Sequence, residues 1–228
     1  MIVFVGGMPR SGSTYSFNIV RELLTARAQT YCEATDSPRP VVTRGGQAGH
    51  IVLKGHHLDE PGQQMIRDGE MQAICTVRDP FDAVASLMDV FGFTLEVATD
   101  GVSRWMKWYD GLQRSVLTLD YEDIGGDPGG LIRQIAAYLG LELSQGEEMR
   151  LSLAYNKSAV KARTDYLDRH GPHIVDAGFS YYGAEDLFHR GHVRSAGARQ
   201  LTVEERSYVI SAAPTVSRFL TGGRDRVG

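Results

Sequence analysis

Gly7-Met8-Pro9-Arg10-Ser11-Gly12-Ser13-Thr14 follows the apolar run Ile2-Val3-Phe4-Val5 and leads into a segment that reads as helix, Tyr15 to Arg27. Strand, glycine-rich turn and helix together make the layout of a phosphate-binding loop, in which backbone N–H groups and a helix N-terminus face an anion. The spacing fits G-x4-G-K-[ST], except that Ser13 stands at the lysine position and an arginine, Arg10, lies two residues before Gly12. The loop is therefore expected to hold a phosphate-like group without the lysine that bridges the β- and γ-phosphates in ordinary nucleotide hydrolases.

Outward from this loop, three further short apolar runs read as buried strands: His50 to Lys54, Gln72 to Val77 and Val116 to Leu119. Helical patterns alternate with them. Phe81 to Phe91 sets Val84, Leu87, Met88 and Phe91 on one face, and Ser103 to Leu112 does the same with Trp105, Trp108, Tyr109 and Leu112, a stripe with the spacing of core packing. A third stripe, Leu131, Ile135, Tyr138 and Leu139, stops at Gly140, a suitable C-cap. Such alternation predicts a single α/β domain over 1–228, a P-loop-type three-layer fold with a mostly parallel sheet between helices. Ligands in such folds sit at the carboxyl ends of the strands, so the loop, Lys54 to His57 and Arg78 to Pro80 are expected to share one crevice.

From 146 to 193 the periodicity weakens and the composition turns polar, so this stretch is expected to be a flap over the crevice or an irregular surface loop. The run Lys157 to Arg163 reads as a solvated face. Thr202 to Leu220 returns to helix with a break at Pro214.

The chain has 228 residues, 42% of them hydrophobic, and a formal charge of -4, which argues against a general nucleic-acid binder. Cations must be concentrated locally if an anion is held. Two cysteines, Cys32 and Cys75, have no metal or disulfide spacing, and no run approaches the ~20 apolar residues of a membrane span. A cytoplasmic protein is expected.

Pro9-Arg10-Ser11-Gly12-Ser13-Thr14, Lys54-Gly55-His56, Arg78-Asp79-Pro80 with Asp82 and Ser86, and Tyr121-Glu122-Asp123 with Asp127-Pro128 occur in the order found in the sulfotransferases, and the chain resembles that family over residues 1 to about 141. Arg190-Gly191 extends the likeness toward the tail, with His189 in place of an arginine of the family pattern. The resemblance implies the co-substrate 3′-phosphoadenosine 5′-phosphosulfate (PAPS), the product adenosine 3′,5′-bisphosphate (PAP), and no required metal.

It further implies that Arg10, Ser11, Gly12, Ser13, Thr14 and Tyr15 form the 5′-phosphosulfate loop. Arg78 and Ser86 would hold the 3′-phosphate with Arg190 and Gly191, and Tyr121 would lie near the adenine. Catalysis would rest on His56 as general base, with Lys54 and Arg10 on the transferring group. His57 is the fallback base, although neighbours on an extended strand end point to opposite sides. The acceptor would carry a hydroxyl or amine, on a small molecule, saccharide, lipid or peptide tyrosine. A P-loop small-molecule kinase and a non-catalytic nucleotide-binding module are the alternatives.

Overall fold

In the computed structural model, residues 1–178, 180–189, 193 and 199–220 are described. The chain runs β1 (Ile2–Gly7), α1 (Ser13–Thr25), β2 (Thr30–Ala34), α2 (Pro38–Arg44), β3 (His50–Lys54), α3 (Glu60–Arg67), β4 (Gln72–Val77) and α4 (Pro80–Phe91). It continues through α5 (Leu95–Asp110), β5 (Leu117–Asp120), α6 (Asp123–Gly126), α7 (Pro128–Tyr138), α8 (Gln145–Tyr155) and α9 (Lys157–Thr164). The hairpin β6 (Ile174–Asp176) and β7 (Tyr181–Gly183) and helices α10 (Val203–Ala212) and α11 (Val216–Leu220) close the order.

β1 to β5 form one sheet in the order β2-β3-β1-β4-β5, with every pairing parallel. The expected α/β architecture is what forms. Side chains alternate across the sheet as the two-residue strand period requires. Val3, Val5, Val52 and Ile74 face a core shared with Phe17, Leu23, Leu131 and Ile135 of α1 and α7. Phe4, Ile51, Leu53 and Ala73 face the opposite layer with Met65 and Ile66 of α3. Cys75 and Val77 pack with Trp105, Met106 and Tyr109 of α5, so that aromatic stripe is core, as its spacing predicts.

β1 lies between β3 and β4, and the chain leaves it for the β2-β3 side before returning to β4-β5. The carboxyl ends of β3, β1 and β4 therefore surround a topological switch point, which is where a crevice opens in such sheets.

Three sequence expectations need correction. β2 was not anticipated, because TYCEA is a half-buried edge strand with no continuous apolar run. The helix expected from Ser103 begins at Leu95, two turns earlier, with Thr94 Oγ1 accepting from the Val97 amide at 3.4 Å. Burial of Ala98 and Val102 there outweighs the weak propensity of Thr99, Asp100 and Gly101. The stretch after 146 is no irregular loop at its start: α8 and α9 bury Leu151, Tyr155 and Val160 against α1 and α7. The signal was present, since Ser144 and Glu147 form a capping box and Asn156 caps α9. The Pro214 break is observed, between α10 and α11.

The turn from β1 into α1 depends on two glycines. A Cβ on Gly7 would fall within 3 Å of Thr76 Oγ1, Ser13 Cβ and Ser11 Oγ. Gly12 has φ +83°, and a Cβ there would also strike Ile124 Cδ1. Gly7→Ala is expected to cost about 1–3 kcal/mol through overpacking against β4; a lower urea midpoint at unchanged m-value is the check.

Candidate active site

The loop is fastened to the sheet before it offers anything to a ligand. Ser11 Oγ donates to the Thr76 carbonyl at 2.9 Å and lies 2.6 Å from Thr76 Oγ1, while the Ser11 amide donates to Met8 O at 3.0 Å. The structure thus gives Ser11 the task of tying the loop to β4, and its side chain is turned into the sheet. Ser13 and Thr14 begin α1, whose N-terminus has no side-chain cap. Both line a cleft of about 520 Å³ with Gly12 and Tyr15. That volume suits a nucleotide-sized ligand.

β3 delivers Lys54 and His56 to the same cleft. Lys54 is buried, with Nζ donating to Gly55 O at 3.3 Å. Burial pushes its ammonium down to about 8, a shift that Asp36 partly opposes. His56 Nδ1 lies 2.9 Å from Gly7 O. A carbonyl can only accept, so Nδ1 carries the proton and Nε2 holds the basic lone pair. The residue is exposed on the cleft side, yet desolvation by the surrounding protein, then the Lys54 ammonium, hold its imidazole well below the usual histidine range. His56 is therefore neutral at rest. His57 turns the other way, its ring edge-on to Trp108 at 6.2 Å, and does not line the cleft.

β4 and α4 supply the opposite wall. Arg78 Nη1 donates to Arg10 O at 3.2 Å, and its guanidinium lies over the Tyr121 ring at 4.2 Å. Its Nη2 is 3.7 Å from Asp82, which is half exposed, so that pair contributes little. The cap of α4 is Asp79, accepting from the Phe81 and Asp82 amides at 2.8 and 3.1 Å. Arg78 is accordingly not needed to cap the helix, and its buried Nε has no hydrogen-bond partner among the described residues.

Buried Ser86 accepts from Arg10 Nε at 3.0 Å. Arg10 sits at φ +67°, and its Nη1 is 2.7 Å from His189 Nε2. The Arg10 side chain therefore joins the α4 wall, whereas Lys54 and His56 come from β3 on the other side of β1.

Sequence reading missed part of the far rim. Lys157 is exposed, as the solvated-face reading has it, and also lines the cleft, with Nζ 5.6 Å from the centre of the Tyr121 ring. Arg163 lies over the rings of Tyr155 and Phe188 at 5.0 and 5.5 Å. No sequence signal separates these two from Lys161, which pairs with Asp165 on the surface. Buried Phe188 anchors the 181–189 segment to the α1–α8–α9 core, and Asn18 Nδ2 donates to Asp186 O at 2.7 Å. His189 reaches the cleft on this segment. Arg190 and Gly191 lie outside the described residues.

The sequence matches a model of the sulfotransferase family over residues 70–145, the stretch from β4 to the start of α8. No curated protein matches the sequence. Among solved structures, mouse sulfotransferase SULT7A1 complexed with PAP superposes with a TM-score of 0.67 at 14% identity, covering 98% of this chain and 89% of that one. Retinol dehydratase in complex with retinol and PAP gives 0.56 at 17% identity, covering 98% and 82%. The same enzyme with androsterone and PAP gives 0.56 at 18% identity. The family model meets the resemblance read from the motifs over residues 70–145, and the solved structures, all under 20% identical, share the fold.

The buried Lys54 generates a pH expectation. It is charged below pH 8 and loses its proton above. An anion in the cleft favours the charged form, so affinity for PAP should fall as pH rises past 8, with a slope approaching one decade per pH unit. Calorimetry from pH 7 to 9.5 checks this, and Lys54→Met should flatten that limb.

Proposed function

We propose that the protein is a PAPS-dependent sulfotransferase that moves a sulfuryl group to a hydroxyl or amine acceptor by in-line transfer, with His56 as general base. The observation that carries this reading is the convergence of the uncapped α1 terminus, Lys54 and His56 on one side of the cleft and Arg10, Arg78 and Ser86 on the other. The cleft fits the donor in two further respects. Tyr15 Oη and Arg78 Nε are buried polar atoms with no partner among the described residues, as expected of groups awaiting a ligand. Arg10, Lys54, Arg78 and Lys157 line it against one carboxylate, Glu122, among the described residues, although the whole chain is acidic.

Bound there, the donor supplies an activated sulfuryl group whose leaving oxygen belongs to the 5′-phosphate. The acceptor oxygen attacks sulfur, the bond from sulfur to that oxygen breaks, and the charge left on the phosphate is met by Lys54 and the N–H groups at the start of α1. Ser13 replaces the lysine of nucleotide hydrolases without loss, because the cation is delivered from β3. The acceptor proton passes to His56 Nε2, the nitrogen that the Gly7 carbonyl leaves basic. Its low resting pKa keeps the lone pair available, and the incoming phosphosulfate raises that pKa toward the working range.

On the far side, Arg78 and Ser86 take the 3′-phosphate, and the Arg10 guanidinium joins them from the loop. Tyr121, under Arg78 and Lys157, stands beside the adenine. The acceptor enters from the side of His56. Retinol and androsterone in the similar structures are small molecules, and a small hydroxyl compound is the first acceptor class to test. Two free cysteines suit a reducing, cytoplasmic setting. No helix among the described residues is long and apolar enough to cross a membrane.

His56→Ala should lower turnover with labelled PAPS and an acceptor panel by roughly 10²–10⁴ while PAP binding is kept. Unchanged turnover removes His56 from this role. Arg78→Ala should weaken PAP much more than AMP in calorimetry, and equal loss for both rejects the 3′-phosphate assignment. ATP–Mg²⁺ bound more tightly than PAP would point to a kinase, and PAP binding with no transfer to any acceptor to a binding module.

A further inference from the structure

The chain has four lysines, and one of them stands apart. Lys107 and Lys157 are exposed, and Lys161 pairs with Asp165 at 2.7 Å. Lys54 is buried on β3 and still reaches the cleft. Its Nζ makes one hydrogen bond among the described residues, to Gly55 O at 3.3 Å, and no ion pair. An ammonium has three protons to place, so two of them find no protein acceptor. Burial penalises the charge as well, and both effects favour the neutral amine.

The groups that act on Nζ come from three strands. Asp36, after β2, and Cys75 of β4 draw its proton affinity up without undoing the effect of burial, which leaves it at about 8. His56, two residues on in β3, is neutral at rest. The amine faces a cleft built for a phosphate. The first turn of α1 has no side-chain cap, and Tyr15 Oη is buried at the same cleft with no partner among the described residues. Arg10 and Arg78 add positive charge. A reagent that carries both a phosphate and an electrophilic carbon would bring that carbon to a nucleophile, and acyl phosphates are that class.

We propose that Lys54 is an acylation site whose acyl donor is a small acyl phosphate held by its phosphate in this cleft. The Nζ lone pair attacks the carbonyl carbon, and the bond from that carbon to the phosphate oxygen breaks. The proton lost by the amine leaves with the phosphate as hydrogen phosphate. A neutral amide then stands where a cation stood, and the charge that meets the leaving 5′-phosphate is gone. That consequence for sulfuryl transfer rests on the function proposed above; the acylation itself does not.

The test incubates the full chain with subsaturating acetyl phosphate and follows each lysine by peptide mass spectrometry. A midpoint of about 8 against the ordinary ~10.4 raises the free-amine fraction by about two orders of magnitude at neutral pH, and burial takes part of this back. Lys54 should therefore react at least about tenfold faster than Lys107. At subsaturating reagent the second-order rate constant reports the ligand-free protein. It should climb with pH and level off above about 8, while the rate for free Nα-acetyl-lysine keeps rising. Excess inorganic phosphate should slow Lys54 and leave Lys107 unchanged. p-Nitrophenyl acetate, which has no phosphate, should lose most of the preference for Lys54. Equal preference with both reagents, or none with either, overturns the proposal. Lys54→Arg should remove the fast phase, and a fast phase that persists places the reaction elsewhere. Protection by phosphate but not by PAP would keep the acylation site and reject the donor assignment instead.

Discussion

The attachment of the loop to β4 is the constraint on which the rest depends. Gly7 has no room for a side chain against Thr76, and Ser11 uses its amide and hydroxyl to hold the loop down at Met8 and Thr76. That attachment places Gly12 in the left-handed region and aims the first turn of α1 into the cleft. It also turns the Gly7 carbonyl toward His56, selecting the imidazole tautomer whose Nε2 is basic. One strand-to-helix turn thus sets both the anion site and the protonation state of the proposed base.

Electrostatics in the cleft works by desolvation as much as by charge. Lys54 and His56 are close and both are held below their ordinary pKa values, Lys54 by burial and His56 by burial and then by Lys54. Without a ligand this is an expensive arrangement, since both cationic forms are desolvated and the Lys54 ammonium disfavours an imidazolium at His56. A phosphosulfate relieves both at once. On the α4 wall, Arg10 bridges Ser86 and His189, and its carbonyl accepts from Arg78. In the proposed function, the local cost of these desolvated cations is offset when an anion binds.

Much of this was legible in the sequence because the determining features are local. The β1–loop–α1 unit, the strands ending at Lys54 and Val77, and the alternation of strand and helix all follow from short-range period and turn chemistry. The outward turn of His57 follows from strand geometry alone, and its packing on Trp108 agrees. What escaped notice is set by tertiary contact. β2 is an edge strand whose half-exposed residues carry no strong pattern, and α5 starts early because the core below it buries Ala98 and Val102. Lys157 and Lys161 look alike in sequence; only the packing of α9 sends the first into the cleft and leaves the second on the surface.

Arg10 shows how the backbone can carry a loop residue away from the neighbourhood its sequence position suggests. Its place in the loop argues for the transferring group, since that is where loop residues ordinarily act. Its left-handed backbone instead throws the side chain across to Ser86 and His189, seventy-six residues and more further along the chain. The cleft is thereby divided at β1. Under the proposed function, Lys54 and His56, from β3, would face the bond that changes, and Arg10, Arg78 and Ser86 the part of the donor that does not react. Binding energy from such a remote, unreactive group can be used to fix the sulfuryl in line with the acceptor. Under that reading the missing lysine of the loop is no defect, because Lys54 brings a cation to the same cleft from β3.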